Sequence, residues 1–446
     1  MQYDHFVDQV FTLAKQASFS EYELYFENTD SLQLQAFEGE IIKFSSSDTQ
    51  GINFRGIFEG QVGSAYSEVL DEETAELLVQ KAKIAASLTE VEDTVFIFGK
   101  KEEYPQLDLV HPSLAKAGTQ KKIDLVLKNE ETALSSGQID KVSSSAYADA
   151  STHRRMINSQ GLNVSFDRNH AYAYLDVLAS DRDGTYSALA YEINHDFASL
   201  AKAPLSQEAV NKVKAKKGAR PVSTGHYPIV FENTAAASLL AAHMSAFSAE
   251  QAQKGMSLLK NKVGEDMASP AVNLVDNPLL SGGSASAPFD GEGVPTFSKH
   301  LIEKGRLLTL LHNLKTAHKE KVATTANASR ESYKANIGVS NTNTYLEKGP
   351  YSKEEVLKEV DEGLYITELD GLHAGTNAIS GDFSLGVRGF TIENGTLGRP
   401  VNQIVLSGNF FTLIKEVTMV ADDLRFWLQP VGAPTLAVKS LSVAGE

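Results

Sequence analysis

Residues 20–67 read SEYELYFENTDSLQLQAFEGEIIKFSSSDTQGINFRGIFEGQVGSAYS, and this stretch determines the architecture of the first half of the chain. Its first side chains alternate between two faces in two sets of three, namely Tyr22, Leu24 and Phe26 against Glu23, Tyr25 and Glu27. The alternation returns from Leu32 to Ala36, and Gly39 and Gly60 lie in turns between β-rich runs. A period of two is typical of antiparallel strands with one buried face, so the stretch predicts a meander of half-buried strands.

Helices are predicted on both sides of this meander. An amphipathic helix opens the chain with six apolar residues on one face, namely Phe6, Val7, Val10, Leu13, Ala14 and Ala17. Further helices are predicted at 71–87, 119–135 and 409–421, and strands at 140–150, 161–167, 171–179, 186–194, 363–369, 384–392 and 401–406. Helices and strands come in blocks rather than in strict alternation, which indicates an α+β fold.

Two domains are predicted, each mixing antiparallel sheet with packed helices. The boundary falls in the Lys- and Ala-rich segment 202–222, which ends in Gly and Pro. It separates an N-terminal α+β domain at 1–215 from a C-terminal α+β domain at 222–446. The basic cluster 212–220 is interpreted as a solvated helix end and linker.

Composition narrows the function classes. The 446 residues carry a formal net charge of −16, which repels a phosphate backbone and disfavours direct nucleic-acid binding. The chain has no cysteine, so disulfides, thiol nucleophiles and Cys-ligated zinc are removed together. Apolar runs are short and the N-terminus lacks the pattern of a signal peptide, so we expect a cytoplasmic location and no membrane partner.

Common catalytic motifs are missing from the sequence. It has no G-x-x-x-x-G-K-[ST] phosphate loop, no G-x-S-x-G nucleophile elbow and no H-E-x-x-H metal helix. His312 and His318 are six residues apart and would not share a helix face. The sequence therefore lacks the standard motifs of nucleotide-binding proteins, serine hydrolases and zinc enzymes.

A series of seven segments nevertheless resembles one family. In chain order they are FSAEQAQKGMSLL (247–259), KVGEDMASPAVNLVDNP (262–278), APFDGEGVPT (287–296), LIEKGRLLTLLHNLKTAHKE (301–320), TTANASR (324–330), ISGDFSLGVRGFTIENG (379–395) and PVNQIVLSGNFFTLIKEVTMVADD (400–423). Together with residues 20–67 they resemble the TldD/PmbA family, specifically its PmbA (TldE) branch. Each segment alone is weak evidence, but seven in one order are specific, and the resemblance covers nearly the whole chain.

The resemblance implies a two-domain α+β protein in a cytoplasmic metalloprotease system. In this family the TldD-type subunit binds zinc through an H-E-x-x-x-H helix and a cysteine, and the PmbA-type subunit pairs with it without the metal ligands. The pair cleaves unfolded or modified peptides, which enter an enclosed groove in extended form. The family is also known as modulator of DNA gyrase.

The family's metal motif can be placed on residues 234–257 by anchoring on the Lys-Gly-Met-Ser at 254–257. The two histidine positions then fall on Leu240 and Ser245, and the glutamate position falls on Ala241. None of these side chains is a useful zinc ligand, and none can act as general base for a bound water. We therefore expect no catalytic residue and no metal in this chain, with zinc in a TldD-type partner.

Five residues are candidates for a groove or an interface. His243 lies two residues from the second histidine position, about 200° away on a helix, which favours a packed or interface residue over a metal or substrate role. Asp290 and Glu292 flank Gly291 and could touch substrate or partner, or form a solvated turn. Arg330 could pair with Asp382 or with a peptide carboxylate, or form a structural ion pair.

Two other functions stay open. One is a self-sufficient homodimeric metallopeptidase that uses ligands from a scattered set, namely His226, His243, His300, Asp290 and Glu292. The other is a regulatory protein that binds DNA gyrase through its acidic surface. The expected partner is thus a TldD-type subunit in a heterodimer or a second copy in a homodimer, with an unfolded peptide as substrate.

Overall fold

A computed structural model of the chain describes residues 3–89, 94–99, 102–182, 184–426 and 429–446. Its N-terminal half contains one six-stranded antiparallel sheet in the order β3-β2-β1-β4-β5-β6. The strands are β1 (Glu21–Phe37), β2 (Glu40–Phe58), β3 (Gln61–Ser67), β4 (Lys141–Asn158), β5 (Asn163–Asp181) and β6 (Gly184–Asn194). The meander predicted from residues 20–67 is confirmed.

Two tight turns set the register of this meander. Glu38 and Gly39 have φ values of 54° and 78°, and Glu59 and Gly60 have φ values of 51° and 79°. Two successive residues in the left-handed region form the hairpin turn whose twist matches that of paired strands. The Glu-Gly dipeptides therefore join β1 to β2 and β2 to β3 with two-residue loops.

Six helices of the N-terminal half accompany this sheet. They are α1 (Tyr3–Gln16), α2 (Glu72–Ser87), α3 (Pro112–Lys116), α4 (Thr119–Ser135), α5 (Phe197–Lys202) and α6 (Leu205–Lys216). The even-numbered side chains of β1 enter two cores, because Leu24 packs with residues of α1 and α2 and Leu34 packs with residues of α4 and α6. The odd-numbered side chain of Tyr25 instead packs with Val294 and Tyr333 of the C-terminal half.

One expectation for the N-terminal half was wrong and another was only partly confirmed. The strands predicted at 161–167 and 171–179 are one continuous strand, β5, because alternation runs through residues 168–170 without a break. The cluster 212–220, expected to be a solvated helix end and linker, does contain the end of α6, but that end is not fully solvated because Val213 and Lys216 are buried. Lys216 at its end is buried and pairs with Glu368 of the C-terminal half, so the basic cluster is partly a contact between the two halves.

The C-terminal half contains fourteen strands within the described residues. They are β7 (Gly225–Phe231), β8 (Leu274–Asp276), β9 (Lys299–Glu303), β10 (Arg306–Leu307), β11 (Ala328–Ser329), β12 (Gly338–Val339), β13 (Thr344–Leu346), β14 (Gly363–Asp370), β15 (Asp382–Glu393), β16 (Thr396–Asn409), β17 (Val417–Val420), β18 (Arg425–Phe426), β19 (Val431–Ala433) and β20 (Leu436–Ala444). One sheet has the order β16-β15-β14-β7-β20-β17, and β16 also pairs with β20, so five strands close into a ring. A second sheet has the order β10-β9-β8-β13-β19-β18, and β11 pairs with β12.

Helices in this half are fewer and shorter. They are α7 (Asn233–His243), α8 (Ala249–Gln253), α9 (Leu314–Glu320), α10 (Lys353–Val360), α11 (Leu372–Gly375) and α12 (Phe410–Leu413), with a 3₁₀ turn at Met244–Phe247 between α7 and α8. The α7 helix contributes to an apolar core that also takes side chains from the strand ring and from β8 and β9. The α+β class is confirmed, whereas the 215/222 boundary stays a prediction.

The helix predicted at 409–421 was wrong. Only Phe410–Leu413 is helical, and Val417–Val420 forms β17 on the edge of β20. A run of Val, Thr, Met and Val suits a strand, and the pairing with β20 supplies the tertiary contact that overrides helical spacing. The apolar side chains of this segment are nevertheless buried, as expected for core. No helix in the described ranges is long and apolar enough to cross a membrane.

Candidate functional site

The helix that would carry a family metal motif is α7, and most of its side chains are apolar. Leu240 is buried and lines an apolar cavity of about 30 Å³ together with Phe231 and Phe410. Ala241 is half-buried, and Ser245 is exposed in the 3₁₀ turn that follows α7. The helix is therefore held in place by hydrophobic packing, with two apolar side chains and one hydroxyl at the positions of the metal motif.

His243 is a buried aromatic side chain of this core. Its ring stacks on the Phe410 ring at 4.4 Å between centroids and 3° between planes. Nδ1 lies 2.9 Å from the carbonyl oxygen of Leu239, one helical turn earlier. Burial lowers the pKa of His243, so the ring is neutral at physiological pH. The structure therefore shows His243 as a packed residue of the core.

Zinc does not fit the residues at the family's metal positions. A structural or catalytic zinc needs at least three nitrogen, sulfur or carboxylate ligands, whereas Leu240, Ala241 and Ser245 offer one neutral hydroxyl. Within the described parts of the chain, no group of three or more His, Asp or Glu side chains is arranged to hold a metal ion. No step of a reaction can be assigned to a metal held by these side chains.

A buried network of charges joins the two halves of the chain. Glu23 of β1 is fully buried and accepts hydrogen bonds from Arg55 Nε at 2.9 Å and Nη2 at 3.1 Å. It also accepts a short hydrogen bond from Arg330, which follows β11 in the C-terminal half. Burial alone would raise the pKa of Glu23, but the two guanidinium groups outweigh it and hold the pKa below its ordinary value.

Asp290 and Glu292 lie at the edge of this network, in a buried loop. Asp290 is 9% exposed and Glu292 is 3% exposed, so a solvated turn was the wrong expectation for them. Burial and then the neighbouring Glu292 charge raise the pKa of Asp290 to about 7. Burial also raises the pKa of Glu292, although Arg55 lies 4.0 Å away and opposes the shift.

Backbone donors hold this loop in its conformation. Asp290 Oδ1 accepts the N–H groups of Glu292 and Val294, and Oδ2 accepts that of Ala328. Glu292 Oε2 accepts the N–H of Leu314 at the start of α9. Both carboxyl groups therefore have structural partners inside the molecule.

Of the alternatives stated for Arg330, the pairing with Asp382 was wrong, and the structure instead shows a structural ion pair with Glu23. Arg330 pairs with Glu23, donates from Nε to the carbonyl oxygen of Gly291 at 2.8 Å, and stacks its guanidinium on the Tyr25 ring at 4.7 Å. Asp382 begins β15, is exposed, and accepts a hydrogen bond from Asn409 that lowers its pKa. The C-terminal half covers the odd-numbered face of β1, and this brings Glu23 rather than Asp382 to Arg330.

The remaining histidine candidates contact separate groups. His226 lies 3.5 Å from the Ser442 hydroxyl, and His300 lies 3.5 Å from the Glu347 carboxylate. Neither of these contacts includes His243, Asp290 or Glu292. The structure thus brings Asp290, Glu292 and Arg330 together and leaves His243 and Asp382 elsewhere.

A cleft between the halves lies beside the start of α7. It has a volume of about 530 Å³ and is lined by α6 and β6 on one side and by α7, β14 and α11 on the other. Thr234, Ala235 and Ser238 are the α7 residues that face it. Its polar wall includes Lys216 and Glu368, which pair across the two halves. Sequence analysis did not identify this cleft, because its walls come from distant segments.

Glu23 and Arg55 are the residues of the network that the sequence analysis missed. The relevant signal was the β1–β2 hairpin, since Glu23 lies directly opposite Arg55 in the observed register. The alternation of β1 had placed Glu23 on a polar face, which is ordinarily solvated. Its burial follows from a contact that appears only when the C-terminal half is in place.

With this geometry established, the chain was compared with known proteins. Three domain profiles described as PmbA/TldA metallopeptidase match it, with domain 1 at residues 22–86, the central domain at 112–217 and the C-terminal domain at 224–445. Metalloprotease PmbA of Escherichia coli O157:H7 is 26% identical over 413 residues, which cover 90% of this chain and 88% of that protein.

Solved structures show the same architecture. A Thermotoga maritima protein, named as a candidate modulator of a DNA gyrase, superposes with a TM-score of 0.93 at 31% identity and covers 99% of this chain and 100% of its own. TldE from Thermococcus kodakarensis superposes with a TM-score of 0.90 at 22% identity, over 99% of this chain and 100% of its own. The second likeness concerns the fold alone.

Proposed function

This chain belongs to the PmbA/TldD metallopeptidase family, and we propose that it acts there as the PmbA-type, non-catalytic subunit. Its partner would be a TldD-type protein that supplies the zinc, and the pair would cleave unfolded or modified peptides in the cytoplasm. The observation that carries this proposal is the chemistry of α7. By the family resemblance, Leu240 and Ser245 occupy the two histidine positions and Ala241 the glutamate position of the metal motif, in α7 and the 3₁₀ turn that follows it.

The packing of α7 supports a retained structural role for the helix. A helix that had lost its function entirely would need no particular surroundings, yet this one is packed into the main apolar core. His243 fills that core by stacking on Phe410 rather than serving as a substitute ligand. The helix therefore has a defined position from which a partner's site could be completed.

A partner surface is suggested by apolar side chains beside Ser245. The segment after α8 folds back on the 3₁₀ turn, where Ser257 Oγ donates to the carbonyl oxygen of Ala246 at 2.5 Å. Met256 and Leu258 on either side of Ser257 are 39% and 53% exposed. Large exposed apolar side chains that lie together often mark an interface. We propose that this surface, formed by Met256 and Leu258, contacts the TldD-type subunit.

The experiment measures cleavage of an unstructured peptide in the presence of zinc. This chain alone, a cognate TldD-type protein alone, and the two mixed are compared, each with and without a chelator. We expect activity in the mixture and background rates from this chain alone. Chelator-sensitive cleavage by this chain alone would overturn the proposal in favour of a self-sufficient homodimer.

Matched variants then test the surface. Leu258→Asp places a charge in the proposed contact and should weaken association with the TldD-type protein. Leu88→Asp is the control, because Leu88 is 76% exposed at the end of α2 in the N-terminal half. Equal effects of the two substitutions on association would refute the assigned surface while leaving the subunit role to the cleavage assay.

A further inference from the structure

A second cavity, of about 150 Å³, lies between the N-terminal sheet and loops of the C-terminal half. Its sheet wall is formed by four side chains, namely Tyr25, Arg154, Phe166 and Arg168. The opposite wall comes from the segments around 285–291, 326–330 and 340–342. This cavity adjoins the buried charge network but has a different composition, since it contains two further arginines.

Strand register places both arginines on the same face of the sheet. Arg154 of β4 lies opposite Glu27 of β1 on one side and opposite Phe166 of β5 on the other. Arg168 lies two residues beyond Phe166 on β5, and in a strand residues two apart share a face. The two guanidinium groups are therefore directed to the same wall of the cavity.

The two arginines differ in their partners. Arg154 has a carboxylate, because its Nε and Nη2 each lie 2.9 Å from Glu27 Oε2. Arg168 has no carboxylate oxygen within 4.0 Å among the residues that the structure describes. Its Nη1 makes one long contact of 3.4 Å with the carbonyl oxygen of Ser284, and its Nε is buried without any hydrogen-bond partner in those ranges.

The surroundings of Arg168 add polar groups, and the negative charge of Glu27, which acts on Arg168 from a distance, is already paired with Arg154. Burial, then Arg168 and His195, lower the pKa of His170 to about 4, so that ring is neutral at physiological pH. Both ring nitrogens of His195 are buried and unpartnered within the described chain. Asp290 is the one carboxyl group among the described lining residues, and its oxygens are occupied by the three backbone donors described above.

We propose that this cavity binds a carboxylate group on the guanidinium of Arg168. One charge without a counter-ion matches a monoanion, and the planar guanidinium fork matches the two oxygens of a carboxylate. The rings of Phe166 and Phe289 meet edge to face at 5.1 Å and provide an apolar wall for a short carbon chain. The carboxylate could belong to a free small acid or to the C-terminus of a peptide, and both present the same chemistry.

The test uses the full chain and sodium propionate, with sodium chloride at equal ionic strength as reference. Propionate should raise the melting temperature above that in chloride, because a ligand that binds only the folded state stabilises it. In the wild-type protein at neutral pH it should also shift the imidazole NMR signals of His170, since a bound anion beside Arg168 changes the electrostatic field at that neutral ring. Absence of both effects would overturn the proposal without any variant.

Variants locate the site. Arg168→Gln should weaken propionate binding by about tenfold or more, and Arg168→Lys, which keeps the charge but loses the fork, should weaken it less. The matched control is Arg155→Gln, since Arg155 is the next residue after Arg154, faces the other side of the sheet and pairs with Asp4. Unchanged binding in Arg168→Gln would refute the assignment. If Arg168→Gln fails to fold, Arg168→Lys and the NMR titration of the wild-type protein still test whether propionate binds at Arg168.

Two further probes define the ligand. Tighter binding of inorganic phosphate than of propionate would overturn the carboxylate class. A tripeptide such as Ala-Ala-Ala with a free C-terminus is then compared with its amidated form. Binding of the free form alone, tighter than propionate, identifies a peptide terminus, whereas no binding of either form identifies a free small acid. The peptide-cleavage assay with a TldD-type protein is independent of all these results.

Discussion

Replacing Glu23 with glutamine removes the buried carboxylate that bridges two buried guanidinium groups. Glu23 is fully buried, and Arg55 and Arg330 are 7% and 6% exposed. In the wild-type protein the carboxylate accepts three charge-assisted hydrogen bonds from them. After the substitution the amide oxygen can still accept from one arginine, but its NH₂ group faces the other.

The size of the expected loss of stability follows from the number of hydrogen bonds that Glu23 accepts. Three hydrogen bonds to a charged group would contribute roughly 1.5–3 kcal/mol each, but the retained amide acceptor and Glu292, 4.0 Å from Arg55, offset part of the loss. Removing one partner of a buried ion pair costs about 3–5 kcal/mol, because an uncompensated charge is left inside. We therefore expect Glu23→Gln to lower the free energy of unfolding by about 4 kcal/mol.

Differential scanning calorimetry and urea unfolding measure this change. Because the network links the two halves, the loss should appear in the first transition, where the halves separate. The control is Glu250→Gln, which removes a surface pair with Lys254 one helical turn away and should cost less than about 0.5 kcal/mol. A Glu23→Gln loss below about 1 kcal/mol would refute the view that this network stabilises the contact between the halves.

Two other predictions concern stability. Burial raises the pKa of Asp290 from 3.8 to about 7, so the folded state binds the Asp290 proton more tightly than the unfolded state does. The stability that this proton contributes is therefore lost as the pH rises from about 3.8 to about 7. Glu292→Gln removes the neighbouring charge, so urea unfolding between those pH values should show a smaller fall, and an unchanged slope would contradict the coupling. Gly63→Ala should lower the free energy of unfolding by about 3 kcal/mol, because the added Cβ would lie 1.8 Å from the carbonyl oxygen of Ala82. Gly118→Ala is the control, since its Cβ would enter open space, and its stability should stay within about 0.5 kcal/mol of wild type. Thermal unfolding measures both changes.

Local patterns were enough to predict much of the fold. The alternation in residues 20–67 gave the meander, and the apolar spacing of residues 6–17 gave α1. Ser352 and Glu355, three residues apart, form the capping box at the start of α10. These elements were predictable because each is set by contacts between residues close in sequence. Where a distant strand competed, as β20 does for Val417–Val420, helical spacing misled the prediction.

The candidate site was only partly predictable. The family resemblance placed Leu240, Ala241 and Ser245 at the positions of the metal motif, and residue identity alone shows that these side chains are not useful zinc ligands. It also selected Asp290, Glu292 and Arg330. It could not show that these three meet in a buried network, because Glu23, which pairs with Arg330, and Arg55, which lies 4.0 Å from Glu292, both come from the distant N-terminal half.

The chain by itself determined the α+β class, the meander and the absence of an H-E-x-x-x-H motif, since these depend on residue types and short periods. Tertiary structure decided which polar groups are buried. Continuing the pairing of Phe37 with Glu40 without interruption would place Glu23 opposite Phe54, but an irregularity between Gln35 and Ala36 shifts the register and brings Arg55 there instead. The face that alternation marks as polar is then covered by the C-terminal half, so charges that the sequence assigns to solvent become the buried contact between the two halves.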